Sequence, residues 1–335
     1  MTRSRPGASP EAVDRSKTSS AVTTRSLVGV AAVRQFRSLN ADLGRNTLSV
    51  AAPSAARSAT TPRVEATAKR PRARKLARVL LSIVVPTYNR VGMLRQTVAS
   101  VLAQDSDDFE LVIVDDASED GTWEYLRGLS GVRAYRNPTR LGLAANWNRA
   151  ISLSRGHYVF ILQDDDLAEP GLVSALAAEA GPELICFATC LIDADGGNPE
   201  MYWQSERRLL EPPAALLEFA ASVPFSSTQL LFQRAVFDRL GGMDETYPIG
   251  SDAEMIMRWL LTCTTLVIPD VLARRRHWEG STSAAVESTL AMSDTMRALV
   301  SSISSLARHR LSSEQLRTLE DSLHASFWEP YVRSG

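Results

Sequence analysis

Tyr158-Val159-Phe160-Ile161-Leu162-Gln163-Asp164-Asp165-Asp166 is the stretch on which the reading of this chain turns. Its apolar half reads as a buried β-strand, and that strand delivers three adjacent carboxylates at its C-terminal end. Mutual repulsion pushes neighbouring carboxylates towards protonation unless a cation, hydrogen-bond donors or water stabilise them. Oxygen ligands of this kind suit Mg2+ or Mn2+, which hold on to phosphates when the protein supplies few ligands. A solvated acidic turn after a buried strand is the alternative, and the surrounding sequence has to decide between the two.

Upstream, strand-like and helix-like segments alternate. Leu81-Ser82-Ile83-Val84-Val85 is an apolar run ended by Pro86, with a turn at Tyr88-Asn89-Arg90. Residues 93–103 carry Leu94, Val98, Val101 and Leu102 at helical spacing. Residues 109–114 form a second apolar run that again closes in acids, Asp115-Asp116, before N-capping residue types at 118–122 open a helix. Residues 132–136 read as a third strand and 142–154 as a helix, with Gly156 as the break before the aspartate-bearing strand. Near-continuous apolar strands, each followed by a helix, predict an α/β fold with a mostly parallel central sheet flanked by helices. Ligands of such sheets bind beyond the carboxyl ends of the strands, which puts 86–90, 115–116 and 164–166 on one edge.

No G-x-G-x-x-G follows the first strand and no G-x-x-x-x-G-K-[ST] occurs, so the usual dinucleotide and P-loop sites are disfavoured. A diphosphate bound without a glycine loop needs another counter-charge, and a carboxylate-held metal supplies it.

The net charge of −1 conceals an asymmetry. Residues 1–78 hold 16 Lys or Arg against 4 Asp or Glu, whereas the remainder holds 21 basic and 34 acidic residues. The arm is rich in Ser, Ala, Thr, Arg and Pro and reads as disordered, with a short amphipathic helix over 26–43 and a basic cluster at 69–75. Its apolar stretch is too short and too interrupted to span a bilayer. Peripheral contact with anionic lipid is one reading of the basic cluster and a solvated linker is the other. Cys186, Cys190 and Cys263 lack paired spacing and read as small apolar side chains in a reducing compartment.

These residues resemble the family 2 glycosyltransferases, inverting nucleotide-sugar enzymes of the GT-A fold. The matching segments are Val84-Val85-Pro86-Thr87-Tyr88-Asn89-Arg90, then Val114-Asp115-Asp116 through Thr122, 137–148, 160–170, Gly241-Gly242-Met243-Asp244-Glu245 and Ser251-Asp252-Ala253-Glu254. They imply three parts: a basic arm at 1–78, a GT-A domain at 79–283, and a helical C-terminal extension at 284–335 that serves as a cap or a homodimer surface.

The resemblance implies roles residue by residue. Pro86, Thr87 and Tyr88 would line the base pocket with Arg90 nearby; Asp116 would accept a hydrogen bond from the base and Asp115 would support that loop. Asp164 would reach the ribose or a metal-bound water. Asp165 is the implied ligand of Mg2+ or Mn2+, with Asp166 and His277 as further candidates, although Asp166 capping the next turn and His277 simply packing beside Trp278 are alternatives. Gln163 stands where the first Asp of the motif often lies, which leaves the assignment among 164–166 open by one position. An inverting transfer needs a carboxylate base on the acceptor side, and Asp252 takes that part, with Glu254 as runner-up. Ser251 departs from the Glu usually found there.

The implied donor is a nucleoside-diphosphate sugar, UDP or dTDP by default. The implied acceptor is a hydroxyl of a glycan, a lipid-linked molecule or another compound, and nucleic acid is not an expected partner. Residues 191–213, with Tyr202, Trp203 and Arg207, lie where acceptor-specifying segments usually fall. Arg274, Arg275 and Arg276 read either as phosphate neutralisers or as a solvated basic turn. A cytoplasmic enzyme, held peripherally at the inner face of the plasma membrane by its arm, is the expected setting. A nucleotidyltransferase and a non-catalytic nucleotide-sugar-binding relic are the competing readings.

Overall fold

The computed structural model describes residues 80–203, 205–222, 227–247, 250–281 and 290–327. The basic arm, its expected helix and its basic cluster lie outside the described residues.

Strands and helices alternate first as β1 (Leu81–Thr87), α1 (Val91–Leu102), β2 (Phe109–Asp115), α2 (Thr122–Arg127), β3 (Val132–Arg136), α3 (Leu143–Leu153) and β4 (Tyr158–Ile161). The chain continues through β5 (Leu167–Ala168), α4 (Leu172–Glu179), β6 (Leu184–Ile192), β7 (Glu200–Trp203), β8 (Arg208–Leu210) and α5 (Ala214–Ser222). A 3-10 turn (Ser227–Gln229) leads into β9 (Leu230–Gln233), α6 (Arg234–Leu240), α7 (Ser251–Leu260) and β10 (Thr265–Arg276). Two further helices follow, α8 (Leu290–Ala307) and α9 (Ser313–Phe327).

One sheet runs β3-β2-β1-β4-β9-β6-β10-β5, with β7 added to β6 and β8 to β10. β3, β2, β1 and β4 are parallel, as the apolar runs predict. Beyond β4 the sheet becomes mixed: β9 pairs antiparallel to both β4 and β6, and β10 lies parallel to β6. Pro86 falls inside β1 rather than ending it. The pairing of β1 with β4 stops at Val84↔Ile161, whereas its pairing with β2 continues to Thr87↔Asp115. The Val84 carbonyl accepts from Leu162 on the β4 side, and Pro86, two residues on, faces that same side, where no ladder donor is called for.

Both faces of the sheet are buried, and the strand period of two divides the side chains between them. Val84, Val112, Val114, Val159 and Ile161 join α3, α5, α7, α8 and α9 in one core; Ile83, Val85, Leu111, Ile113 and Phe160 join α1 and α4 in the other. Leu299, Ile303, Leu319 and Leu323 are fully buried, so the C-terminal helices form part of the first core.

Gly156 sits where any β-carbon would lie 2.5 Å from the Ser82 amide nitrogen and 2.8 Å from the Leu81 carbonyl carbon. Relief requires movement of β1 backbone. Gly156→Ala is therefore expected to destabilise the domain by about 1–3 kcal/mol, read as a lower urea midpoint; an unchanged midpoint would contradict this packing.

Candidate active site

The aspartate turn between β4 and β5 is inside the molecule, not on a solvated surface: Asp164, Asp165 and Asp166 are 4%, 3% and 1% exposed. Asp164 Oδ1 accepts from Arg90 Nη1 at 2.9 Å, and Asp165 Oδ2 accepts from the same nitrogen at 3.1 Å and from Trp278 Nε1 at 2.9 Å. Asp166 accepts from the Arg276 backbone amide at 2.7 Å on one oxygen and from Thr228 Oγ1 at 2.7 Å on the other. Thr97 Oγ1 in α1 lies 3.0 and 2.8 Å from the carbonyls of Asp164 and Asp166. The turn is thus fastened from α1, the 3-10 turn and the end of β10.

These donors do not fully compensate the burial. Burial pushes the Asp164 carboxyl up to about 6 against the pull of Arg90, with Asp165 adding to the rise. Burial and the Asp165 charge raise Asp166 to about 7. An excess of negative charge is the setting a divalent cation relieves. Asp164 Oδ1 and Asp165 Oδ2 also converge on one point, a pair of hard oxygens that fits Mg2+ or Mn2+ completed by donor phosphates.

The wider ligand set expected from the sequence is not assembled. Both oxygens of Asp166 serve protein donors, so it holds the turn to β10 and the 3-10 turn. His277 is exposed, and its backbone amide bonds the Ile192 carbonyl. Among the described residues, no three His, Cys, Asp or Glu side chains form a metal-holding group.

At the neighbouring strand ends, Asp115 is fully buried, accepts from the Ser118 amide at 3.0 Å and faces Arg136 Nε at 3.3 Å, an arrangement that shapes its loop. Asp116 is already engaged by protein donors. Its oxygens take the Asn137 side chain at 2.7 Å and the amides of Leu141 and Gly142 at 2.8 and 2.9 Å. It holds the loop before α3 in place rather than presenting a vacant carboxylate to a base. Gly142 sits in that loop at φ 93°, a backbone state open to glycine. The same loop places the Arg140 guanidinium 4.1 Å from the centre of the Tyr88 ring. Pro86 and Thr87 close the end of β1 beneath Tyr88, whose amide lies 3.4 Å from Asp164 Oδ2.

Asp252 lies in the first turn of α7, which Gly250 enters at φ 74°. Burial raises its carboxyl above the ordinary range, while the helix-start amides and Arg275 oppose the rise. Glu254, the alternative base, is tied down: Arg258 grips both its oxygens at 2.9 Å and reaches on to the carbonyls of residues 240–242. Ser251 turns inward, 3.8 Å from the Met243 sulfur.

The three arginines at the end of β10 separate by the strand alternation. Arg274 pairs with Glu169, and Arg276 is buried on the same face, bonding the Asp165 carbonyl at 2.7 Å and Gln96 at 3.0 Å. Arg275 points to the other face and lies 3.4 Å from the Tyr202 hydroxyl. None of the three is a solvated turn residue. Trp203 is buried against Phe219 with ring centres 5.7 Å apart, so in 191–213 it packs the core rather than offering a sugar platform.

Sequence reasoning missed Thr97, Arg140 and Thr228, and it named Arg276 without foreseeing its bond to the aspartate turn. Period-two alternation along β10 was the available signal for Arg276; the other three have no local signature.

With the sheet and its acidic edge defined, the class is that of the GT-A glycosyltransferases. Residues 82–241, just under half of the chain, match the family described as Glycosyl transferase family 2, and together with its glycosyltransferase relatives this match makes the chain a glycosyltransferase. It is 26% identical over 236 residues to the uncharacterized protein MT1568 of Mycobacterium tuberculosis, covering 64% of this chain and 71% of that protein. It is 31% identical over 122 residues to the GalNAc(5)-diNAcBac-PP-undecaprenol beta-1,3-glucosyltransferase of Campylobacter jejuni, covering 35% of this chain and 40% of that one. Among solved structures, S. aureus TarS 1-349 in complex with UDP-GlcNAc shares the fold at a TM-score of 0.61 and 19% identity, covering 74% of this chain and 73% of that chain.

The raised Asp164 and Asp166 carboxyls retain protons in the folded state that an unfolded chain has released by the ordinary value of 3.8. The native state binds more protons between about pH 4 and 7, so this contribution to stability falls as pH rises. In metal-free buffer, the stability of Asp166→Asn minus that of the wild type is expected to grow from pH 4 to pH 8 in urea unfolding. A flat difference would show that Asp166 is an ordinary ionised carboxylate.

Proposed function

We propose that the chain transfers a sugar from a nucleoside-diphosphate sugar to an acceptor hydroxyl with inversion at the anomeric carbon. The observation that carries this reading is the packing of α7, which bears Asp252, against the 3-10 turn whose Thr228 bonds Asp166, with the half-buried Arg275 beside both carboxylates. The aspartate turn and the α7 carboxylate therefore border one region, as an in-line displacement needs with the leaving group on one side and the base on the other.

In this reading Asp252 removes the acceptor proton, and its upward shift moves it towards the pH at which a carboxylate base works best. Asp165, with Asp164 beside it, would hold Mg2+ or Mn2+. When bound, that cation supplies Lewis-acid stabilisation of the departing diphosphate. Arg275 adds a fixed positive charge close to the same region. Pro86, Thr87 and Tyr88 take the base, with Arg140 stacked above Tyr88.

The UDP-GlcNAc and UDP complexes of the structurally similar TarS favour a UDP-sugar donor here. The polyprenyl-linked substrate in the name of the Campylobacter relative favours a glycan or lipid-linked acceptor. Among the described residues no helix is long and apolar enough to cross a membrane; cytoplasmic chemistry at the membrane face is the setting we infer.

Asp252→Asn is expected to lower turnover of a UDP-sugar with Mn2+ by about 10^2- to 10^4-fold while UDP affinity, read by calorimetry, stays within a factor of about two. Undiminished turnover would remove Asp252 as the base.

A further inference from the structure

We propose that Arg90 is an exchangeable counter-cation: it fills the convergence point of Asp164 and Asp165 until a divalent cation arrives with the donor and displaces it. The inference rests on the metal-assisted reading above and concerns how that site is kept before loading.

A single guanidinium nitrogen, Arg90 Nη1, sits 2.9 Å from Asp164 Oδ1 and 3.1 Å from Asp165 Oδ2. Those oxygens are the pair a metal would use. A divalent ion shared by both oxygens on the side Arg90 occupies would compete with the guanidinium for the same lone pairs, and two cations that close repel. Each therefore disfavours the other. Neutralisation by Arg90 also explains how the protein folds with these carboxylates buried, since a buried unpaired charge is costly.

Arg90 is the group of the three nearest to solvent. Arg90 is at the N-cap position of α1, and its side chain is 21% exposed against 6% and 4% for its two partners. Its outer side rests on the Trp278 ring, 5.5 Å from guanidinium carbon to ring centre. Trp278 itself donates to Asp165 Oδ2 at 2.9 Å. Displacement of Arg90 at Asp165 thus alters both contacts of one indole, which makes Trp278 a built-in reporter.

A permanent structural ion pair predicts the opposite behaviour on mutation. If Arg90 merely locks the turn, removing it loosens Asp164 and Asp165 and weakens metal binding. If Arg90 competes with metal, removing it strengthens metal binding.

The test is Mn2+ titration followed by electron paramagnetic resonance of the free ion, with and without UDP, on wild type, Arg90→Gln and Arg90→Lys. Arg90→Gln is expected to bind Mn2+ about tenfold tighter than wild type, and Arg90→Lys, which keeps a competing cation, to stay near wild type. Equal or weaker binding by Arg90→Gln overturns the proposal. Should Arg90→Gln fail to fold, the intact protein still decides. Mg2+ with UDP is expected to change tryptophan emission in wild type and not in Trp278→Phe, and identical responses in the two overturn the displacement. Uptake of Mn2+ with UDP that is indifferent to Arg90 sinks only this inference; no uptake by any form, UDP present, sinks the metal reading as well.

Discussion

Three consecutive carboxylates buried at the end of one strand are the constraint around which this domain is organised. A buried charge without partners costs several kcal/mol, so Asp164, Asp165 and Asp166 can sit at 4%, 3% and 1% exposure only because neighbours meet them. Arg90 bridges the first two, Trp278 completes the second, and the Arg276 amide and Thr228 hydroxyl hold the third. Compensation is incomplete, and the shortfall is visible in the upward shifts of Asp164 and Asp166. A site in that condition is ready to receive positive charge.

Meeting that requirement draws distant parts of the chain to one edge. β10 lies three strands from β4 in the sheet order, yet its end returns to the aspartate turn through Arg276, and β5 closes the gap by pairing with β10. The 3-10 turn ahead of β9 brings Thr228 from a third direction. α7, packed beside that turn, then carries Asp252 to the same neighbourhood. The half-buried Arg275, on the other face of β10, carries its charge close to both Asp166 and Asp252.

The first half of the fold was legible because buried parallel strands write themselves as continuous apolar runs. β1 to β4 and the helices between them fall where residues 81–162 place them to within a few residues, with Pro86 inside β1 rather than ending it. β9 was not legible: Leu230–Gln233 is too short to distinguish from any apolar tetrad, and its antiparallel insertion between β4 and β6 is a long-range pairing. Within the site, the acidic strand ends and the helix-start carboxylate Asp252 could be picked out by residue type and position. Their partners could not. Asp116, expected to accept from the base, is tied to 137–142, and Glu254, the runner-up to Asp252, is paired with Arg258 one helical turn on.

Residue order alone determined that this chain builds an α/β sheet with carboxylates at its strand ends, since hydrophobic period and turn chemistry are local properties. Which carboxylate is neutralised, by which arginine, and which is left short of donors was decided only by tertiary structure. Electrostatic energy depends on distance and burial, and residues as far apart as Arg90, Asp165 and Trp278 come within about 3 to 6 Å of one another only when the sheet has closed around them.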